Sequence, residues 1–328
     1  MAGIIPFYNI MKSCGIHIGI LGLLLLCSCN HKELDFTGVA DLTVAFDWSQ
    51  VSSANPSSMM LTAFSSGRQP VQKPVQGSSR GTISLPVGEY QFIAFNDDTE
   101  DVSSSGSMWT DYEVYALQAE LWNFSRMFGR TRSVPRGAGT EGQQVINQPD
   151  EVWTSAISDV SITGSIGKVV TMPMEAATFT ITFTIKNVDN IDFVNDVLAT
   201  VSGMAGSWWP AQHACSYTQC IIPFNLTRNG QSYSGDVRTF GYRPLDRNGN
   251  EIKHQLVIYA EMSDGSKKYY TFDVTDQMNS IAPADGGAVT AEVEIELDEL
   301  PLPKPLNDGT GLDPDVQDWE EVPISLNM

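Results

Sequence analysis

From residue 42 onward, apolar and polar positions alternate with a period of two, the pattern of strands with one face in a core and one in water. Leu42, Val44, Phe46 and Trp48 share one side of the first such segment. Ile83, Leu85 and Val87 begin a second, which breaks at Gly88 and resumes over 90–95. The cleanest alternation is Phe179, Ile181, Phe183 and Ile185 against Thr178, Thr180, Thr182 and Thr184. Val289, Ala291, Val293, Ile295 and Leu297 repeat it against Thr290 and three glutamates. Segments 254–262 and 269–274 flank Asp264-Gly265, a turn pair that favours a hairpin. No long stretch carries the helical period, so the pattern predicts an all-β chain.

Polar, turn-rich segments at 49–58, 65–79, 96–107 and 129–149 interrupt this pattern and are expected to be surface loops. Two short apolar pieces, 152–160 and 166–172, then lead into the threonine-rich strand, which puts a boundary near 172–176. The expected organisation is one β domain over 39–172 and a second over 173–300. Beyond Leu300, Pro301-Leu302-Pro303-Lys304-Pro305 reads as an extended linker. It leads to an apolar-bearing piece at 316–326, so 301–328 is expected to be a tether and a terminal strand. Val322, Ile324 and Leu326 alternate there behind Trp319, and an extended strand would put the three aliphatic residues on one face.

The start of the chain breaks the alternation. Segment 16–26 is almost purely apolar, follows Lys12 and runs into Leu26-Cys27-Ser28-Cys29. Eleven such positions, with His17 and two glycines among them, suit the roughly 7–15-residue core of a secretory signal better than the roughly 20 residues of a membrane span. Met11-Lys12 makes a better positive start than Met1. Residues 1–28 are therefore expected to be a lipoprotein signal, with Cys29 the lipid-bearing first residue of the mature chain and 29–38 a tether.

The 19 basic and 39 acidic residues give a net charge of −20. Removing 1–28 takes away one lysine and no acid, leaving −21. Nucleic acid and anionic head groups are poor partners for such a chain. Of five cysteines, only Cys215 and Cys220 remain once Cys14 and Cys27 leave with the signal and Cys29 carries lipid. These two are free to pair outside the cytoplasm or to stay reduced, and a loop this short stabilises only modestly.

Motifs of catalysis are missing. The sequence holds no G-x-S-x-G, H-E-x-x-H, phosphate-cradling loop or dinucleotide fingerprint. His31, His213 and His254 are the only histidines after the signal, too few for a recognisable His-based nucleophile system or a metal centre. No metal and no cofactor are expected. Asp246-Arg247-Asn248-Gly249-Asn250-Glu251 begins like a calcium loop but has Glu251 where a glycine is wanted, and Asn248-Gly249 is equally a plain turn. Trp208-Trp209 reads either as a sugar platform or as one ring in the core and one under a loop. Arg126, Arg130, Arg132 and Arg136 crowd into eleven residues, as a solvated loop or as a site for a trypsin-like protease.

Taken together, the lipobox, two successive β units, Leu85-Pro86-Val87-Gly88-Glu89-Tyr90 ahead of an apolar strand, and the tail Gly311-Leu312-Asp313-Pro314-Asp315-Val316-Gln317-Asp318-Trp319 resemble the fimbrillin-like lipoproteins of Bacteroidota-type bacteria. The resemblance implies two transthyretin-like, Greek-key β-sandwich domains and lipidation at Cys29. It also implies an outer-membrane, cell-surface location and a place in a fimbrial system as shaft, tip or anchor. In polymerising members an arginine-directed protease removes the first strand and a neighbour's strand fills the groove. Here the first predicted strand, 39–48, has no arginine close behind it; the next is Arg68, beyond a second apolar stretch at 59–64. Retention of strand and lipid suits an anchor or a stand-alone surface protein.

The expected function is non-enzymatic: fimbrial assembly, anchoring or adhesion through strand pairing, with other fimbrial subunits or host or bacterial surface ligands as partners. The alternative is a surface glycan-binding lipoprotein of a nutrient-uptake system, with Trp208, Trp209 and Trp109 holding sugar.

Overall fold

The computed structural model describes residues 38–128, 134–163, 167–305 and 319–322. β1 (Val39–Asp47) is the middle strand of a three-stranded sheet, between β4 (Arg80–Pro86) and β10 (Lys168–Pro173). Its pairing with β10 is parallel, with Leu42 opposite Lys168 and Phe46 opposite Met172. The opposing sheet contains β2 (Ser58–Phe64), β3 (Val71–Gln76), β5 (Gly88–Asn96), β9 (Trp153–Ile162) and β11 (Glu175–Ala176). Its order is β11-β9-β5-β2-β3, antiparallel throughout. Leu42, Val44 and Phe46 of β1 and Ile83 and Leu85 of β4 meet Met59, Leu61, Phe92 and Ala94 in one buried cluster.

The second half repeats the plan. β12 (Phe179–Ile185) lies between β18 (Ser232–Thr239) and β21 (Val293–Leu297), again parallel to the later strand, and β17 (Thr227–Asn229) extends the β18 side. Opposite is a sheet whose centre is β16 (Gln219–Asn225), β13 (Val194–Ala205), β19 (Gln255–Met262) and β20 (Lys267–Asp273), in the order β20-β19-β13-β16. That order matches β9-β5-β2-β3 strand for strand, and β21-β12-β18 matches β10-β1-β4. Ile181, Phe183 and Ile185 face Ala199, Val201, Ile222 and Ile258 across the core, with Phe183 stacked on Phe224 at 5.0 Å between ring centroids. The β12 threonines stay at the surface, where Thr182 donates to Asp236 at 2.8 Å. The fold is an all-β sandwich, as the alternation predicts.

Three predicted loops contain strands. Segment 65–79 carries β3, an exposed edge whose Lys73 and Pro74 protect it from further pairing. Segment 96–107 carries β6 (Val102–Ser105), which pairs with β7 (Glu113–Ala116); β7 in turn pairs with β14 (Ser207–Trp209), and β14 with β15 (Ala214–Cys215). The described part of 129–149 carries β8 (Gln144–Val145), docked in parallel on β16. These strands are polar because each has one face or edge in water. The 254–274 hairpin forms as predicted, with Gly265 at φ +81° in its turn. Of the predicted strand 289–297, only Val293–Leu297 is continuous; Val289 instead bridges to Tyr242. Among the described residues one short α-helix, α1 (Thr275–Asn279), follows β20.

β5 is apolar at consecutive positions because both of its faces are covered. Phe92 and Ala94 belong to the first cluster, whereas Ile93 and Phe95 join Tyr112, Val114 and Trp208 in the cluster of the second half. The described residues from Ala40 onward form one compact unit.

Candidate functional site

The tail makes the most unusual strand contact. β22 (Glu320–Glu321) lies parallel to β20, with Lys268 opposite Glu320 and Tyr269 opposite Glu321. The Val322 amide donates to the Tyr269 carbonyl at 3.1 Å, and Lys268 is ion-paired with Glu320. Trp319 packs its ring against Phe128 at 5.5 Å and Tyr259 at 5.4 Å between centroids, with the Lys267 ammonium 5.9 Å from the indole. Lys267 also donates to the Met127 carbonyl at 2.5 Å. Trp319 and Val322 are thus seated on the chain's own sheet; Ile324 and Leu326 lie outside the described residues. Phe128 and Tyr259, which receive the indole, carry no local sequence signal, because the contact joins distant segments.

At the opposite edge of that sheet, β8 is clamped through a bulge in β13. The Gly203 amide donates to Gln143 Oε1 at 2.9 Å, and Gln143 Nε2 donates to Gln219 Oε1 at 3.3 Å. Two short strands from distant parts of the sequence therefore cover both edges of the sheet, the groups most prone to uncontrolled pairing.

Of the arginine cluster, Arg126 stands in a single 3₁₀ turn, Arg126–Phe128, whose Met127 and Phe128 are buried. Arg136 Nη1 donates to the carbonyls of Gln143 at 2.9 Å and Glu141 at 3.3 Å. Arg130 and Arg132 lie outside the described residues, as does Cys29. Cys215 and Cys220 are buried free thiols, so the pairing that the sequence left open is not made. Burial pushes their pKa values up to about 11 and about 12, which keeps both protonated and unreactive at neutral pH.

The tryptophan pair divides between core and surface. Trp208 is buried, with Nε1 donating to Thr154 Oγ1 at 3.1 Å, while Trp209 is half-buried against Tyr217 at 6.3 Å. Trp208 therefore cannot act as a sugar platform, whereas Trp109 lines an open cleft. The Asp246 loop is a turn closed on itself: the Asp246 carboxylate accepts the Asn250 side-chain amide at 2.9 Å and the backbone amides of Asn250 and Asn248 at 2.9 and 2.8 Å, bonds that hold its pKa below the usual range. His213 Nδ1 lies 2.6 Å from Glu175 at the surface, and His254 is buried elsewhere. Among the described residues no cluster of His, Cys, Asp or Glu is fit to hold a metal, and no helix is long and apolar enough to cross a membrane.

A protein-family model described as a domain of unknown function, DUF5119, matches residues 28–225. No curated protein matches the sequence. A crystal structure described as a "putative adhesin" from Bacteroides ovatus superposes with a TM-score of 0.56 at 16% identity, covering 81% of this chain and 94% of that one. Two further structures fall below a TM-score of 0.5 and carry no argument about this chain. One, described as "putative polysaccharide binding proteins" from Bacteroides thetaiotaomicron, has a TM-score of 0.48 at 15% identity, covering 78% of this chain and 90% of that one. The other is the fimbrial anchor protein Mfa2 from Porphyromonas gingivalis, with a TM-score of 0.45 at 11% identity, covering 79% of this chain and 90% of that one. The fimbrillin-like resemblance read from the sequence thus holds at the level of the fold, and by its family match the chain belongs to the DUF5119 family.

Proposed function

We propose that this protein is a non-enzymatic surface protein, held at the outer membrane by lipid on Cys29, that serves fimbrial anchoring or adhesion through β-strand pairing. The observation that carries the reading is the position of β1. It is the central strand of its sheet, with Leu42, Val44 and Phe46 in the core, and it leads back directly to the tether behind Cys29. Cleavage at Arg68, the first arginine after it, would remove β2 as well and open both sheets of the first sandwich at once. A retained first strand continuous with a lipid anchor suits an anchor or a stand-alone adhesin better than a polymerising shaft subunit.

Two further features support the reading. The short, proline-rich tether gives the terminal strand reach, roughly 30 Å over about ten extended residues. The fold is shared with a described putative adhesin. The test is membrane fractionation of a Cys29→Ser variant in the native host. Release of the variant into the soluble fraction is expected, with the unaltered protein partitioning into detergent. Retention of the variant in the membrane would refute lipid anchoring at this residue.

A further inference from the structure

A cleft of about 390 Å³ opens at one end of the β11-β9-β5-β2-β3 sheet, between the turn after β2 and the loop that precedes β7. Its volume lies within the range of small-ligand sites. The turn after β2 is closed by the Arg68 amide on the Ser65 carbonyl at 3.3 Å, with Gly67 at φ +71°. Trp109 forms the facing wall. Its indole nitrogen is buried and has no hydrogen-bond partner among the described residues, and the half-buried ring lines the cleft.

Arg68 supplies the donors. The Tyr90 hydroxyl donates to the Pro86 carbonyl at 2.9 Å and accepts from Arg68 Nη1 at 3.5 Å, which steadies an otherwise exposed guanidinium. Arg68 makes no ion pair among the described residues. Gln91, Ser65, Ser66, Ser107 and Thr110 add polar residues to the lining, and Phe64 and Met108 add apolar ones.

We propose that this cleft is a subsite for an uncharged sugar ring of a surface glycan. The chemistry selects that class. An aromatic face takes the CH face of a pyranose, and a fork of N–H donors with an amide and hydroxyls takes its hydroxyl rim. Among the described residues no carboxylate lines the cleft, so it does not suit a cation. A chain of net charge −20 repels polyanions, and one arginine does not offset that field. The bordering strands, β2 and β5, are already paired on both sides, so no free backbone edge is offered to an extended peptide. The inference rests on the surface placement proposed above, but not on strand pairing.

The test is native affinity electrophoresis of the purified full-length protein through gels containing glucan, mannan, galactan, xylan or arabinan, with polygalacturonate and gelatin as the charged and peptide alternatives. Retardation by at least one neutral polysaccharide is expected, weakened at least tenfold by Trp109→Ala and by Arg68→Gln and preserved in Trp109→Phe, which keeps the ring and removes the orphaned N–H. Because Arg68 is exposed, its variant tests the cleft even if Trp109→Ala fails to fold. No retardation by any neutral polysaccharide, retardation indifferent to Arg68→Gln, or retardation by polygalacturonate or gelatin alone would each overturn the proposal. None of these outcomes bears on fractionation of Cys29→Ser, so failure of the sugar site and failure of surface anchoring are read separately.

Discussion

His254 is buried just ahead of β19, with the ring of Tyr242 edge-on at 4.9 Å. Gly203 of the β13 bulge lies against it: its φ is +78°, and a Cβ there would stand 2.6 Å from His254 Nδ1. Nδ1 is 3.2 Å from the Ser202 carbonyl, which can only accept, so the neutral ring carries its proton there and leaves Nε2 a buried acceptor without a partner among the described residues. Burial pushes the pKa down from 6.5 to about 4, against the opposing pull of the Ser202 carbonyl and of Asp273 and Glu251, while Lys253 adds to the lowering. The folded state thus binds the proton more weakly than the unfolded chain does. The stability tied to the neutral ring is complete above pH 6.5 and is lost as pH falls towards 4, to a limit of about 3 kcal/mol. Urea unfolding at pH 7 and pH 4 should show this loss, and His254→Phe should remove most of it; an unchanged pH dependence in the variant would assign the acid sensitivity elsewhere. At this scale the sequence offered His254 only as an unremarkable strand residue. Its burial follows from a bulge that no local pattern announces.

Among the elements, β22 is the strand whose role the sequence left most open, since an alternating tail on a proline-rich tether can fold back or be donated. Trp319 rests on Phe128 and Tyr259, and the Val322 amide is bonded to β20. Removing residues 319–328 should therefore lower the melting temperature of the monomer, and Trp319→Ala alone should cost about 2 kcal/mol, below the cost of emptying a fully buried aromatic site because the indole is half-exposed. A truncated protein that melts like the full-length one but no longer self-associates would instead make the tail a donated strand. The long alternating strands were legible because one dry and one wet face leave a period-two mark. β3, β6 and β8 were not, because edge strands keep few apolar residues and are indistinguishable from loops in composition.

For the whole molecule, the strand order repeats in two halves, with β12 opening the second copy of the plan and β11, at 175–176, still paired with β9 in the first. The same structure ties the halves together. Ile93 and Phe95 of β5 sit in the cluster of the second half, and β7 pairs with β14 while β8 pairs with β16. Because the second half draws Ile93 and Phe95 into its core and takes β8 on its sheet edge, calorimetry should show a single unfolding transition for the full chain. Two well-separated transitions would mean that the shared cluster adds little to either half.

The sequence by itself determined the all-β class, the strongest strands, the hairpin at Asp264-Gly265 and the lack of any recognisable catalytic motif, because these depend on local periodicity and on which residue types are present. It also carried the family resemblance. Only the tertiary structure decided that both cysteines are buried as thiols, that Trp208 lies in the core while Trp109 lines a cleft, and that β8 and β22 cover opposite edges of one sheet. Each of these joins residues far apart in the chain, and such contacts are fixed by how whole sheets stack and pair rather than by the order of neighbouring residues.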